Sequence, residues 1–182
     1  MSQIRLIRHG EPELRRVFLG SLDPPLTAAG RDAAIGLRRK FTAAAWYSSP
    51  MLRARQTASL IGPDATPVIL PELAERRFGA WEGLAWEDIV LGWPDLAASG
   101  LSDWLALTPP GGEPWDWFVA RVARALEVIR AGPLPAMVVA HLAVNAALAL
   151  LLSGRDPISF HQDYCEVLKY EITPGIANDR RC

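Results

Sequence analysis

Ile4-Arg5-Leu6-Ile7-Arg8-His9-Gly10-Glu11 is a short apolar run that stops abruptly in an arginine, a histidine and a glycine. A run of this length, β-branched and bounded by glycine, reads as a buried strand rather than a helix. Gly10 then marks a turn where the backbone can bend closely around a ligand. Arg8 and His9 fall at the carboxyl end of an early strand, the edge where open α/β sheets bind ligands. An imidazole there can serve as nucleophile or base. The planar fork of the neighbouring guanidinium fits two oxygens of a phosphate or carboxylate. Three residues alone also fit an ordinary strand end with one surface arginine and one surface histidine, so the rest of the chain decides.

Working outward, the same pattern returns at Met137-Val138-Val139-Ala140-His141, an apolar strand ending in a histidine. Between the two, Thr27 is placed to N-cap a helix running to about Phe41. Ala45 to Ser49 reads as a second strand ended by Pro50. Met51 to Ile61 reads as a helix stopped by Gly62-Pro63. Val68 to Leu70 is a short strand, followed by a turn-containing segment through Gly79. Six tryptophans lie at positions 81, 86, 93, 104, 115 and 117. The stretch 80–114 is expected to be an insertion roofing the sheet edge, with helices at 85–92 and 95–106, and most of these tryptophans are expected to pack rather than touch substrate. Trp115 to Arg130 has the clearest helical period, with Phe118, Val122, Leu126 and Ile129 spaced by four, four and three. A helix from about Val144 to Leu152, a last strand over Glu166 to Ile172 and an unstructured tail from Thr173 complete the reading. Strands alternating with helices predict an α/β fold in three layers, a mostly parallel central sheet flanked by helices. The 182 residues fit one domain with a sizeable core.

Composition narrows the function. A net charge of −1 gives no bulk electrostatic case for nucleic acid or an anionic membrane, so attraction for an anion must be local. Cys165 and Cys182 form no disulfide framework and fit a reducing, cytoplasmic setting. Arg5, Arg8 and Glu11 interrupt the early apolar run, so no signal peptide is expected. Ala136 to Leu152 is the most apolar segment. It contains His141 and Asn145 and reads as a buried strand and helix rather than a membrane span.

Two strands thus end in histidine, and Arg53, in the first turn of the helix after the second strand, joins Arg8 at the same edge if the strands are parallel. Cations without a carboxylate cluster suit a phosphoryl group, whose transition state spreads negative charge over several oxygens. His9, His141 and His161 have no metal-ligand spacing, so no metal is expected.

At this point the chain resembles the histidine phosphatase superfamily, also called phosphoglycerate mutase-like. The resemblance rests on Arg8-His9-Gly10-Glu11 and on Gly20 to Gly30 with its Asp23-Pro24-Pro25-Leu26-Thr27. It also rests on the block from Ser48 to Ala58, the block from Leu73 to Gly83, Gly111-Gly112-Glu113 and Val138 to His141, all in the expected order. It implies a phosphoglycerate mutase-like fold and a set of roles. His9 would be the nucleophile, carrying a phosphohistidine. Arg8, Arg53 and His141 would hold the phosphoryl oxygens, with Leu142 beside them. Glu75 would protonate the leaving alcohol and later deprotonate water. The residues by themselves do not select Glu75 over Glu72, Glu82 or Glu113; the family block does. Three departures touch the substrate more than the chemistry. Leu142 stands where the family has glycine after its second histidine, Pro114 replaces a common serine, and the asparagine common a few residues after the first signature is absent. A leucine at a turn requiring positive φ would be strained, whereas at a helix start it would still offer an amide N–H.

The resemblance implies a metal-independent phosphomonoesterase that uses no cofactor and acts on a small phosphorylated metabolite. The Asp-Pro-Pro-Leu-Thr, Phe-Gly-x-Trp-Glu-Gly and Pro-Gly-Gly-Glu blocks look like those of α-ribazole phosphatases and broad-specificity relatives. A catalytically weak phosphate-ligand-binding or regulatory member, and a phosphoprotein phosphatase, are the alternatives. The oligomeric state stays open, a homodimer among the options.

Overall fold

In the computed structural model, which describes residues 2–172, the opening run is strand β1 (Gln3–Arg8). The other strands are β2 (Ala45–Ser48), β3 (Val68–Ile69), β4 (Ala136–Ala140) and β5 (Val167–Glu171), in the spatial order β3-β2-β4-β1-β5. All pairings are parallel except that of β5, which runs antiparallel to β1 at one edge. The tail expected from Thr173 lies outside the described residues.

Period-two alternation assigns the two faces of the sheet. Ile4, Leu6, Ala136, Val138 and Ala140 point to one face, where α4 (Trp115–Ala131) and α5 (Leu142–Ser153) contribute Phe118, Val122, Leu126, Ile129, Val144 and Leu148. Ile7, Met137 and Val139 point to the other, against Ala34 of α1 (Ala28–Ile35) and Ala54, Ala58 and Ile61 of α2 (Leu52–Ile61). β4 is central and buried along its whole length, which is why its sequence is continuously apolar. The chain therefore leaves adjacent strands β1 and β4 toward opposite faces, through α1 and α5. That divergence opens the crevice at their carboxyl ends where α/β sheets hold ligands.

Three expectations are corrected. The first helix stops at Ile35 instead of continuing to Phe41. Gly36 caps it, two tight turns follow, and Arg39 adopts a left-handed φ of 60°, which brings the chain round to β2. The N-cap is as read, with Thr27 Oγ1 accepting the Gly30 N–H at 2.9 Å. The helix expected over 95–106 is two short 3₁₀ segments, Pro94–Ala98 and Leu101–Leu105. Proline opens the first and Gly100 separates them, its N–H held by the Asp103 carboxylate at 2.9 Å. The expected helix at 85–92 is α3 (Trp86–Gly92). Finally, α5 begins at Leu142, two residues earlier than read, with His141 as its N-cap.

The chain between β1 and α1 forms a clasped loop. Its stem is a Pro12–Leu26 bridge with Thr27 N–H donating to Glu11 O at 2.9 Å and Glu13 N–H to Pro25 O at 2.9 Å. Two glycines allow the stem to press on α1. A Cβ on Gly10 would stand 2.6 Å from Gly30 O, and one on Gly30 only 2.4 Å from Glu11 O. The loop's far end pairs with the roof, where Phe18 exchanges backbone hydrogen bonds with Gly83 and Leu84. Phe18 joins Phe78, Trp81, Ile89 and Trp104 in a small aromatic core of its own.

Arg76 bolts this roof to the body. It is fully buried, and its guanidinium donates to the carbonyls of Glu113 (2.9 Å), Leu105 (2.9 Å), Leu107 (2.7 Å) and Trp104 (3.4 Å). Desolvation lowers its pKa to about 10. Replacing Arg76 by methionine keeps the stem but strands these buried carbonyls. The expected loss is at least about 3 kcal/mol, read from urea unfolding. A change within experimental error would show that water satisfies the carbonyls instead.

Candidate active site

The parallel strands bring the expected residues to one edge. His9 follows β1 and is almost wholly buried. Its Nδ1 lies 2.7 Å from Gly10 O, a carbonyl that can only accept, so the proton resides on Nδ1 and Nε2 keeps its lone pair. Arg53 Nε donates to that Nε2 at 3.3 Å. The turn is fixed from behind, with Gly10 N–H donating to Thr57 Oγ1 at 2.9 Å and the Thr57 hydroxyl to Arg53 O at 2.7 Å. Burial above all, then the charges of Arg53 and Arg8, hold the His9 pKa well below its ordinary 6.5, against the raising effect of the Gly10 bond.

Arg53 comes from the first turn of α2, as read. Its Nη1 donates to Leu22 O at 2.7 Å and meets Asp23 Oδ1 at 3.3 Å, and Asp23 also caps the N-terminus of α2 through the Leu52 N–H. Arg8 Nη1 donates to Gln162 O at 2.7 Å, and its guanidinium lies over the Tyr164 ring, 4.0 Å from the centroid. Arg8 Nε has no protein partner.

His141 stands behind His9, ring centroids 5.1 Å apart and edge-on. It is fully buried and bonds Ser49 Oγ through Nε2 at 2.7 Å, while Nδ1 is left without a protein partner. Desolvation and the neighbouring arginines push its pKa well down. Leu142 occupies the first helical position of α5 with φ in the ordinary range, so no strain arises there. Leu142 is also one of the residues lining the cavity.

Glu75 follows β3 and keeps part of its surface open to the cavity, with Oε1 accepting the Arg76 N–H at 2.9 Å. Loss of water around it raises its pKa above the usual 4.5. The Arg76 bond and the charges of Arg53, Arg121 and Arg8 oppose that rise without cancelling it. The cavity measures about 670 Å³. Arg8, His9, Arg53 and Glu75 line one end, and Phe18, Phe78, Trp86 and Trp104 supply an aromatic wall. Of the six clustered tryptophans, Trp86 and Trp104 reach the cavity, Trp81 is buried beside them and Trp117 is largely exposed.

Four contributors escaped the sequence reading. Thr57 had a usable signal, standing four residues after Arg53 on the same helical face. Asp23 and Ser49 lay inside quoted blocks without a role, and Tyr164 arrives from a loop near the far end of the chain with no local pattern to announce it. Among the described residues, no group of three or more His, Cys, Asp or Glu could hold a metal ion, and no helix is long and apolar enough to cross a membrane.

The family model described as histidine phosphatase superfamily (branch 1) matches residues 4–178 of the chain. A bifunctional protein of Mycobacterium tuberculosis is 37% identical over 139 residues, which span 72% of this chain and 38% of that protein. An adenosylcobalamin/alpha-ribazole phosphatase of Salmonella typhimurium is 35% identical over 126 residues, 65% of this chain and 62% of the relative. The crystal structure of the alpha-ribazole phosphatase from Shigella flexneri superposes with a TM-score of 0.81 at 27% identity, covering 94% of this chain and 91% of that one.

Proposed function

Because the chain belongs to branch 1 of the histidine phosphatase superfamily, we propose that it hydrolyses a small-molecule phosphomonoester through a phosphohistidine on His9, without a metal. The observation that carries this reading is the His9 ring itself. Nδ1 is anchored as a donor to Gly10 O, and the Nε2 lone pair lies beside Arg53 in a wall of the cavity.

In the first step Nε2 attacks phosphorus, the ester P–O bond breaks, and protonated Glu75 gives its proton to the departing alkoxide. In the second, water attacks the phosphohistidine, Glu75 accepts the water's proton, the P–N bond breaks and neutral His9 returns. Arg8 and Arg53 bind the phosphoryl oxygens throughout and gain most as charge develops on them. His141, fully buried, braces the His9 ring edge-on from behind.

For the substrate, we favour an ester whose leaving group carries a flat aromatic system, of which α-ribazole phosphate is the named candidate. The aromatic wall and the alpha-ribazole phosphatases among the similar proteins support it. A panel of phosphomonoesters assayed with chelator present tests both halves. Turnover of the aromatic esters in preference to compact ones is expected, and a preference for compact esters would remove the aromatic reading. The alternative of a binding protein that lost activity gains no support from Leu142, which stands unstrained at the start of α5. A phosphoprotein phosphatase is disfavoured by the roof over the site.

The pH dependence follows in sign. The first step needs neutral His9 and protonated Glu75. His9 is held below 6.5 and Glu75 above 4.5 in the fold. Activity is therefore retained as pH falls through 6.5 and is lost only when His9 finally protonates. On the other side, kcat/KM declines as pH rises through the raised Glu75 pKa. A kcat/KM profile that drops with an ordinary histidine midpoint on acidification would contradict the assignment.

A further inference from the structure

Arg121 of α4 touches none of the cavity, yet its guanidinium is fully committed. Nη1 donates to Glu72 O at 2.6 Å and Ala74 O at 2.8 Å, and Nη2 to Glu75 O at 3.0 Å. Nε and Nη2 also grip the Glu113 carboxylate at 2.8 and 2.9 Å, a bidentate pair that is mostly buried. These contacts use every N–H a guanidinium has, so none remains for a substrate. Glu113 is itself fastened to the same segment, with its N–H donating to Arg77 O and its carbonyl accepting from Arg76 Nε, both at 2.9 Å. The backbone that carries Glu75 is therefore bound at three carbonyls, those of Glu72, Ala74 and Glu75, to a long helix of the main core. It needs such a hold, because after a single 3₁₀ turn at Pro71–Leu73 the chain carrying Glu75 has no helix or sheet ladder to set it.

We propose that Arg121, clamped by Glu113, is a positioning residue for Glu75: it fixes the backbone over Glu72 to Glu75 so that the Glu75 carboxyl group stays on the cavity wall with Arg8 and Arg53. The inference rests on the phosphatase reading, in which Glu75 moves the proton. The charged groups acting on Glu75 are Arg53 from α2, Arg121 from α4, Arg8 from β1 and the adjacent Arg76, and Arg121 is the one bonded to its carbonyl oxygen. Lysine at position 121 keeps the charge but has only three donors and no fork, so it cannot hold three carbonyls and a carboxylate together.

Leaving-group dependence separates positioning from a general structural role. An aryl phosphate with a nitrophenolate leaving group needs no proton, whereas a simple alkyl phosphate does. In Arg121→Lys, kcat/KM for the alkyl ester is expected to fall roughly 100-fold while that for the nitrophenyl ester falls less than about threefold, the general-acid contribution being lost selectively. A loss of the same factor on both esters, or on neither, overturns the inference. Glu113→Gln provides the second variant. It leaves every Arg121 donor in place but removes the counter-charge that orients the fork, and it should show the same selectivity in smaller measure. If the lysine variant melts early, the ratio of the two esters in the glutamine variant decides. Native protein that hydrolyses neither ester would instead sink the phosphatase reading, and this inference with it.

Discussion

His9→Ala is expected to lower kcat/KM for every phosphomonoester by at least about 10⁴-fold, the scale seen when a covalent nucleophile is removed. The physical reason is specific to this ring. Its tautomer is set by Gly10 O and its proton affinity is depressed by burial and two arginines, so it is neutral and aimed. No other group at this end of the cavity combines these properties. His141 is sealed behind it against Ser49, and Glu75 is needed for the proton. Arg8 and Arg53 remain, so the variant should still bind inorganic phosphate while accumulating no acid-labile phosphoenzyme during a quenched turnover. Thermal melting separates this from unfolding, because the ring's packing against His141 and Tyr164 is also lost. Residual turnover above about 1% of native would remove His9 from the nucleophile's role.

Arg53→Met is expected to cost about 10³-fold in kcat/KM, near the upper end for one charged transition-state contact. It should also displace the acid limb of the pH profile. Arg53 is the largest charge holding the His9 pKa down. Removing that charge favours imidazolium, so His9 protonates at a higher pH and activity is lost sooner on acidification. The fold should tolerate the change, since Asp23 still caps α2 through the Leu52 N–H. The two effects are measured in one experiment, kcat/KM against pH for native and variant. A drop below tenfold with an unmoved acid limb would mean that Arg53 merely orders the loop at Leu22 and Asp23.

The legibility of this protein divides along a physical line. Where neighbours in sequence make the structure, the sequence spoke plainly. β1 and β4 announced themselves by apolar runs ending in histidine, Thr27 by its capping chemistry and α4 by its period. Parallel pairing then carried Arg8, His9, Arg53 and His141 to one edge without further assumption. Where long-range contacts make the structure, it was silent. The clamp of Arg121 spans 46 to 49 residues, and His141 meets Ser49 across 92. The end of α1 and the break at Gly100 were misread because isolated glycines weaken a helix without dictating where it stops. Glu75 needed the family block, since an acid's role is set by the burial it receives, which spacing does not encode.

The clasped stem at Pro12 and Leu26 has a consequence for how such a protein changes over generations. Its two ends are pinned against each other and against α1, while the loop it closes contributes Arg16, Val17, Phe18 and Leu19 to the cavity wall. Changes at Arg16 to Leu19 would therefore alter the cavity wall while leaving the Gly10 turn in place, whereas Leu22 and Asp23 of the same loop hold Arg53 and the start of α2. Gly10 and Gly30, whose backbones leave no room for a side chain on either, are the pair of positions that cannot take part in that variation.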